Sequence, residues 1–134
     1  MLLVDLITEI SPKTVETTFG ISEDNIFVDN GIFAEIGLIE NAAQTCSAIV
    51  AKAYVTDEND QELEDVKVIG FISGIKRLKV IALPNAGDTI CTKAVLISQF
   101  EMDNYSICAM QCRTFRGEEL LFEAEINLYI QAEK

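Results

Sequence analysis

Hydrophobic and polar positions follow two different periods along this chain, and the switch between them divides it. The opening run Leu2 to Ile10 is apolar with polar breaks, and Thr14 to Phe19 alternates with many β-branched residues, as strands do. Ser11-Pro12-Lys13 forms the turn between them. After Ser22-Glu23-Asp24-Asn25 comes Ile26 to Ile32, in which Asp29-Asn30-Gly31 is a sharp turn signal. From about Phe33 to Tyr54 the period becomes helical, with apolar residues at Phe33, Ile36, Ile39, Ala43, Cys46, Ile49, Val50 and Ala53. This stretch has no proline and one glycine, and it is rich in alanine, leucine, isoleucine and glutamate. Its polar face is thin: Glu40, Asn41, Gln44, Ser47 and Lys52. A helix so apolar is expected to be enclosed, so residues 33 to 54 are predicted to form a central helix.

The remainder reads as long strands. Val66 to Val80 contains Gly70 and Gly74, which mark a bulge or a close approach. Leu83 to Asp88 is a loop, Thr89 to Glu101 the next strand, and Met102-Asp103-Asn104 its turn. Tyr105 to Phe115 follows, Arg116-Gly117 turns it, and Leu120 to Gln131 alternates at Phe122, Ala124, Ile126, Leu128 and Ile130. Short turns imply an antiparallel meander. No βαβ alternation occurs, so the expected class is α+β, a curled antiparallel sheet wrapped around one long helix.

Composition narrows the partners. The 134 residues, 49% hydrophobic and 24% charged, suit a single packed domain spanning 1–134. A net charge of −12, from 10 basic and 22 acidic residues, argues against nucleic acid and anionic lipid as main partners. No run approaches the roughly 20 apolar residues of a membrane span. Asp5 follows the start at once without a basic region, so no signal peptide is expected and the predicted compartment is the cytosol. Thr56 to Asp65 is an acidic connector, read as a solvated loop with a partner site as the alternative. Cys46, Cys91, Cys108 and Cys112 lack paired zinc spacing, and the chain has no histidine, so neither a metal nor a nucleotide cofactor is expected. Cys108 and Cys112 point to one face of a strand and read as buried reduced thiols.

Several segments then carry a resemblance: Asn25-Ile26-Phe27 followed by Gly31; Gly37-Leu38-Ile39-Glu40-Asn41-Ala42-Ala43-Gln44; Gly74-Ile75 with Leu78-Lys79 and Gly87-Asp88; and Gly117 with Phe122-Glu123-Ala124-Glu125. In this order and spacing, from Leu2 to about Ile130, the chain resembles the hotdog-fold β-hydroxyacyl-ACP dehydratases. It is closest to the divergent dehydratase-like proteins associated with bacterial polyene-type lipid or pigment pathways. Three departures stand out. The family's histidine, in a His-Phe-Pro-Gly segment, is replaced by Asp29-Asn30-Gly31-Ile32-Phe33 in a shortened loop; the proline-glycine pair is absent there; and the usual proline-containing segment before the first strand is missing.

The resemblance implies a site at a dimer interface, where a histidine of one subunit works with a carboxylate of the other on an acyl thioester. Here it assigns the carboxylate role to Glu40 and substrate binding to Asn30, Gly31, Phe33, Gly37 and Gln44. Removing an α-proton and protonating a leaving hydroxyl suits a group tuned near neutral pH, and an apolar helix is a place where a carboxylate is so tuned. Glu40 as an inherited helix-interface residue is the competing reading. Three functions stay open. One is a subunit completing a site with a histidine-bearing hotdog chain. The second is a homodimer that binds acyl chains or acyl-ACP as scaffold or carrier. The third is a carboxylate-based acyl thioesterase acting on ACP or CoA thioesters. Lys76, Arg77 and Lys79 form the densest basic cluster and could dock an acidic carrier, or merely solubilise a strand end.

Overall fold

The computed structural model describes residues 2–55 and 67–133, so the acidic connector Thr56 to Asp65 lies outside the described residues. Among the described residues nine elements follow one another: β1 (Leu6–Ile10), β2 (Thr14–Gly20), β3 (Val28–Asp29), β4 (Ile32–Phe33), α1 (Glu35–Val55), β5 (Lys67–Val80), β6 (Thr89–Glu101), β7 (Tyr105–Arg116) and β8 (Glu119–Glu133). The long strands form one antiparallel sheet in the order β1-β2-β6-β7-β8-β5, and β3 and β4 form a separate small hairpin. The α+β class is as expected.

Two connections differ from a simple meander. β6, β7 and β8 pair in sequence across short turns, but β5 pairs with β8, leaving it at the sheet edge. The loop after β5 therefore crosses one end of the sheet before β6 begins. The ladder between β5 and β8 slips twice, between Ile72 and Gly74 and between Ile75 and Arg77. Gly74 marks the first slip. Gly70 is a close approach, because a Cβ there would stand 2.7 Å from Ile130 Cδ1.

α1 lies across the concave face and packs on β2, β5, β6, β7 and β8. Glu35 in its first turn faces the positive end of the helix dipole. The buried face is Leu38, Asn41, Ala42, Thr45, Cys46 and Ile49, at helical spacing. This corrects the predicted stripe. Ile36 is 57% exposed, Ile39 and Ala43 are half-buried, and Asn41, expected on the polar face, is 1% exposed. The sheet answers with Val15, Phe19, Ile90, Ala94, Met110, Cys112 and the inward row Phe122 to Ile130 of β8.

The helix is rotated this way because its two buried polar residues find partners there. Asn41 Nδ2 donates to the Leu3 carbonyl at 2.6 Å, and Asn41 Oδ1 accepts from Thr92 Oγ1 at 2.6 Å. Thr92 shares a 2.8 Å contact with Thr114, which must be the donor, since the Thr92 proton is already committed. Thr45 Oγ1 donates to the Asn41 carbonyl and accepts from Thr17, at 2.9 and 2.8 Å. Every buried side-chain nitrogen or oxygen among the described residues has a partner. Among the described residues no helix is long and apolar enough to cross a membrane.

Asn41→Ala strands the Leu3 carbonyl and opens a cavity in one step. It is expected to cost about 2–4 kcal/mol of stability, read from urea unfolding midpoints.

Candidate functional site

The residues singled out from the sequence lie on the β3–β4 hairpin, the first half of α1, and edge strand β5. Asn30 and Gly31 form the two-residue hairpin loop, with φ of 52° and 77°. Both central residues of such a turn need positive φ, which asparagine and glycine tolerate best. The hairpin is held by the loop that follows β5. Ala86 N donates to Gly31 O at 2.8 Å, Phe33 N to Pro84 O at 2.9 Å, and Ile32 bridges to Asn85. Gly87 N and the Asp88 carbonyl pair with the backbone of Ile21.

That clamp has its own anchor. Asp88 Oδ2 accepts from Asn85 N and from Arg116 Nη1, each at 2.8 Å, and Arg116 Nη2 also reaches Glu119 at 2.8 Å. The Asn85 amide first, and the Arg116 guanidinium second, hold the Asp88 carboxyl below its ordinary value. Arg116 is thus committed to the end of the β7–β8 hairpin.

Phe33 and Gly37, grouped by the sequence with substrate binding, pack against each other. Phe33 is fully buried, and a Cβ on Gly37 would stand 2.5 Å from its ring. Phe19 and Phe27 close around the same ring at 6.1 and 6.4 Å, the second edge-on. Phe33 is in β4, not in the helix where its spacing suggested, because the hairpin ends on it.

Glu40 is exposed, one turn after the exposed Ile36. One turn later again, Gln44 Oε1 accepts from Leu3 N at 2.6 Å, so the carboxamide helps pin the N-terminal segment. Ser47 lies at helical spacing from Glu40. Ser47 Oγ lies 3.9 Å from the Cβ position of Gly70 in β5. Ile36, Glu40 and Ser47 share one flank of the helix, and Ser47 is the member that approaches β5. β5 has a bonded neighbour, β8, on one side alone among the described strands. Ile75 and Leu78 pair with the buried Ile126 and Ala124, which places them on the helix side, yet they are 42% and 39% exposed. Ile32, Ile81 and Leu83 add further exposed apolar surface. Sequence reasoning missed this patch, since nothing local identifies β5 as an edge.

Lys76, Arg77 and Lys79 are all exposed. Arg77 and Lys79 stand opposite Glu125 and Glu123 on the outer face, beside a shallow depression of about 250 Å³ that Gln111 also lines. Lys76 falls at the second slip in the ladder. Arg113 lies one strand further, 3.6 Å from Glu123, and Lys93 lies opposite Arg113.

Comparison with known proteins agrees with this architecture. The family model described as ApeP-like, ApeP dehydratase, matches residues 1–134. No curated protein matches the sequence. Among solved structures, the chain is similar to the dehydratase heterocomplex ApeI:P from Xenorhabdus doucetiae, with a TM-score of 0.74 and 14% identity over 99% of this chain and 84% of that one. It is also similar to a hypothetical thioesterase protein with coenzyme A from Streptococcus pneumoniae TIGR4, with a TM-score of 0.69 and 13% identity over 96% and 90%. A third likeness is to the uncharacterized protein PH1136 from Pyrococcus horikoshii, with a TM-score of 0.65 and 16% identity over 96% and 83%. The fold is the hotdog fold.

Asp88 gives the site a pH signature. A lowered carboxyl contributes stability above its ordinary value, and loses that contribution as pH falls through the folded one. Asp88→Asn is therefore expected to be less stable than the parent at neutral pH, with the gap closing under strong acid, measured as urea midpoints across that range.

Proposed function

The chain belongs to the ApeP-like dehydratase family, and from that premise we propose that it acts on β-hydroxyacyl thioesters as the carboxylate-bearing half of a hotdog pair. The observation that carries this reading is the placement of Glu40. It sits exposed beside the exposed Ile36, on a flank of α1 that reaches the edge strand β5 at Ser47, and β5 leaves Ile75 and Leu78 open. A second hotdog chain laid along β5 would cover Ile75, Leu78 and Ile36 and enclose Glu40. Dehydration needs a base for the α-proton and an acid for the departing hydroxyl. This chain, with no histidine, brings the carboxylate. The partner brings the histidine. The heterocomplex formed by the similar Xenorhabdus doucetiae dehydratase supports pairing with a different hotdog chain. Thioester chemistry is supported by the family and by the coenzyme A held in the similar Streptococcus protein.

In this assembly the Asn30-Gly31 turn, fixed by the loop after β5, borders the acyl path, while Phe33, Gly37 and Gln44 hold the helix entry in shape. The compartment is the cytosol, and the pathway is one that builds fatty-acid or polyene-type chains on a carrier. Lys76, Arg77 and Lys79 steer that acidic carrier, the exposed Lys76 most directly, since Arg77 and Lys79 have carboxylates opposite.

Hydration of a crotonyl thioester tests the reading. The purified chain alone should show background rates, and its complex with a co-purifying histidine-bearing hotdog chain should turn over. Glu40→Gln should lower the rate of the complex by about 10²–10⁴-fold without disturbing assembly. Turnover by the chain alone, or a Glu40→Gln complex at full rate, would sink it; acyl-CoA hydrolysis by the lone chain that Glu40→Gln abolishes would put a thioesterase in its place. For the docking cluster, Lys76→Glu with Arg77→Glu should weaken carrier binding severalfold and flatten its salt dependence, measured by titration at low and high ionic strength.

A further inference from the structure

The proposed chemistry leaves the cysteines unused, and two of them are in contact. Cys46 on the inner face of α1 and Cys112 on the inner face of β7 are both fully buried, and their sulfurs lie 3.0 Å apart. That is about 1 Å longer than a covalent S–S bond, and the two positions are far apart in sequence. Both belong to the packed apolar core, so the two sulfurs are held at this approach by the same packing that seats the helix. Cys91 differs. It is half-buried on the outer face, donates to Glu16 at 3.0 Å, and is pushed up to about 11 by burial and then by that carboxylate.

We propose that Cys46 and Cys112 are a site of reversible covalent modification, in which a peroxide joins them as a disulfide that ties the middle of α1 to β7. One sulfur attacks the O–O bond, takes an oxygen as sulfenic acid and releases one water. The other sulfur then displaces that hydroxyl, forming the S–S bond and releasing a second water. The two sulfurs together lose two electrons and two protons, and the peroxide gains both. The titratable groups facing Cys46 are Cys112 and Cys108, both from β7. The hydrogen bond with Cys112, then burial, pushes the Cys46 thiol well above its ordinary value, so the reaction runs faster as pH rises.

The test uses the full folded chain carrying Cys91→Ser, which removes the outward thiol. It is exposed to hydrogen peroxide at neutral and alkaline pH, then unfolded in an alkylating agent, digested and read by mass spectrometry. The expected result is a loss of two hydrogens from the intact mass and a Cys46–Cys112 linked peptide that disappears on reduction. The link should form faster at alkaline pH, and Tm should rise by roughly 5–15 °C, because the unfolded chain is cross-linked across a long loop. Recovery of Cys46 and Cys112 as free alkylated thiols would overturn the proposal, as would a link through Cys108 or separate oxidation of each sulfur to sulfinic acid.

Discussion

The orientation of the central helix rests on one side chain. Asn41 bonds the N-terminal segment with its amide nitrogen, β6 with its amide oxygen, and Thr45 with its backbone carbonyl, and Thr45 passes the connection to β2. The rest of the buried helix face is Leu38, Ala42, Cys46 and Ile49, a smooth surface that a curved apolar sheet accepts in more than one rotation. Apolar burial supplies most of the stabilisation but discriminates weakly between neighbouring rotations. Hydrogen bonds discriminate strongly, because each buried group left unpaired costs roughly 1–3 kcal/mol. Turning the helix by one residue, about 100°, would strand Leu3 and Thr92 at once and part Thr45 from Thr17. The polar strip thus selects the one rotation that faces Ile36 and Glu40 outward.

That choice of rotation makes the isolated chain look unfinished along one side. On the β2 and β6 side the helix is covered by Leu3 and its carboxamide clamps. On the β5 side it meets an edge strand of 14 residues whose outer backbone groups have no bonded neighbour among the described strands. Long edges with apolar residues invite pairing, and lysines and bulges are the usual means of guarding such an edge against strand-to-strand association. β5 has both, two slips in its register and the exposed Lys76, Arg77 and Lys79. The same charges therefore have a structural task whether or not a carrier also reads them.

Legibility in the sequence followed the range of the interaction concerned. The turn signals that bound Thr89 to Glu101 and the alternation from Phe122 to Ile130 are local, and both strands lie where these placed them. The helix is displaced by two residues at its start, because Phe33 fits a helical spacing equally well until the Asn30-Gly31 turn claims it for β4. Asn41 was misjudged for a long-range reason. A polar residue reads as a surface residue unless its partners are known, and those partners, Leu3 and Thr92, lie 38 and 51 positions away. Threonines 17, 92 and 114 read simply as β-formers, and their hydroxyls gave no sign that they line a buried strip. The place of β5 at the edge is a property of topology, which periodicity does not encode. The motif residues Glu40 and Gln44 were visible as a pair at helical spacing, yet the structure gives them different surroundings, one facing water and one bonded to Leu3.

Those different surroundings sharpen what the absent histidine means. A single carboxylate can hold or deliver one proton, while dehydration needs two groups in opposite states at once. A carboxylate is drawn toward neutral pH by a dry environment, as the acids of many active sites are. In the lone chain Glu40 is exposed to water, so this chain supplies neither the second group nor the dry surroundings. A partner along β5 would do both with one surface: it would bring a base and, by covering Ile36, Ile75 and Leu78, exclude water from around Glu40. In the proposed pairing, assembly would precede chemistry, and the exposed apolar flank beside Glu40 would serve the site as much as the carboxylate itself.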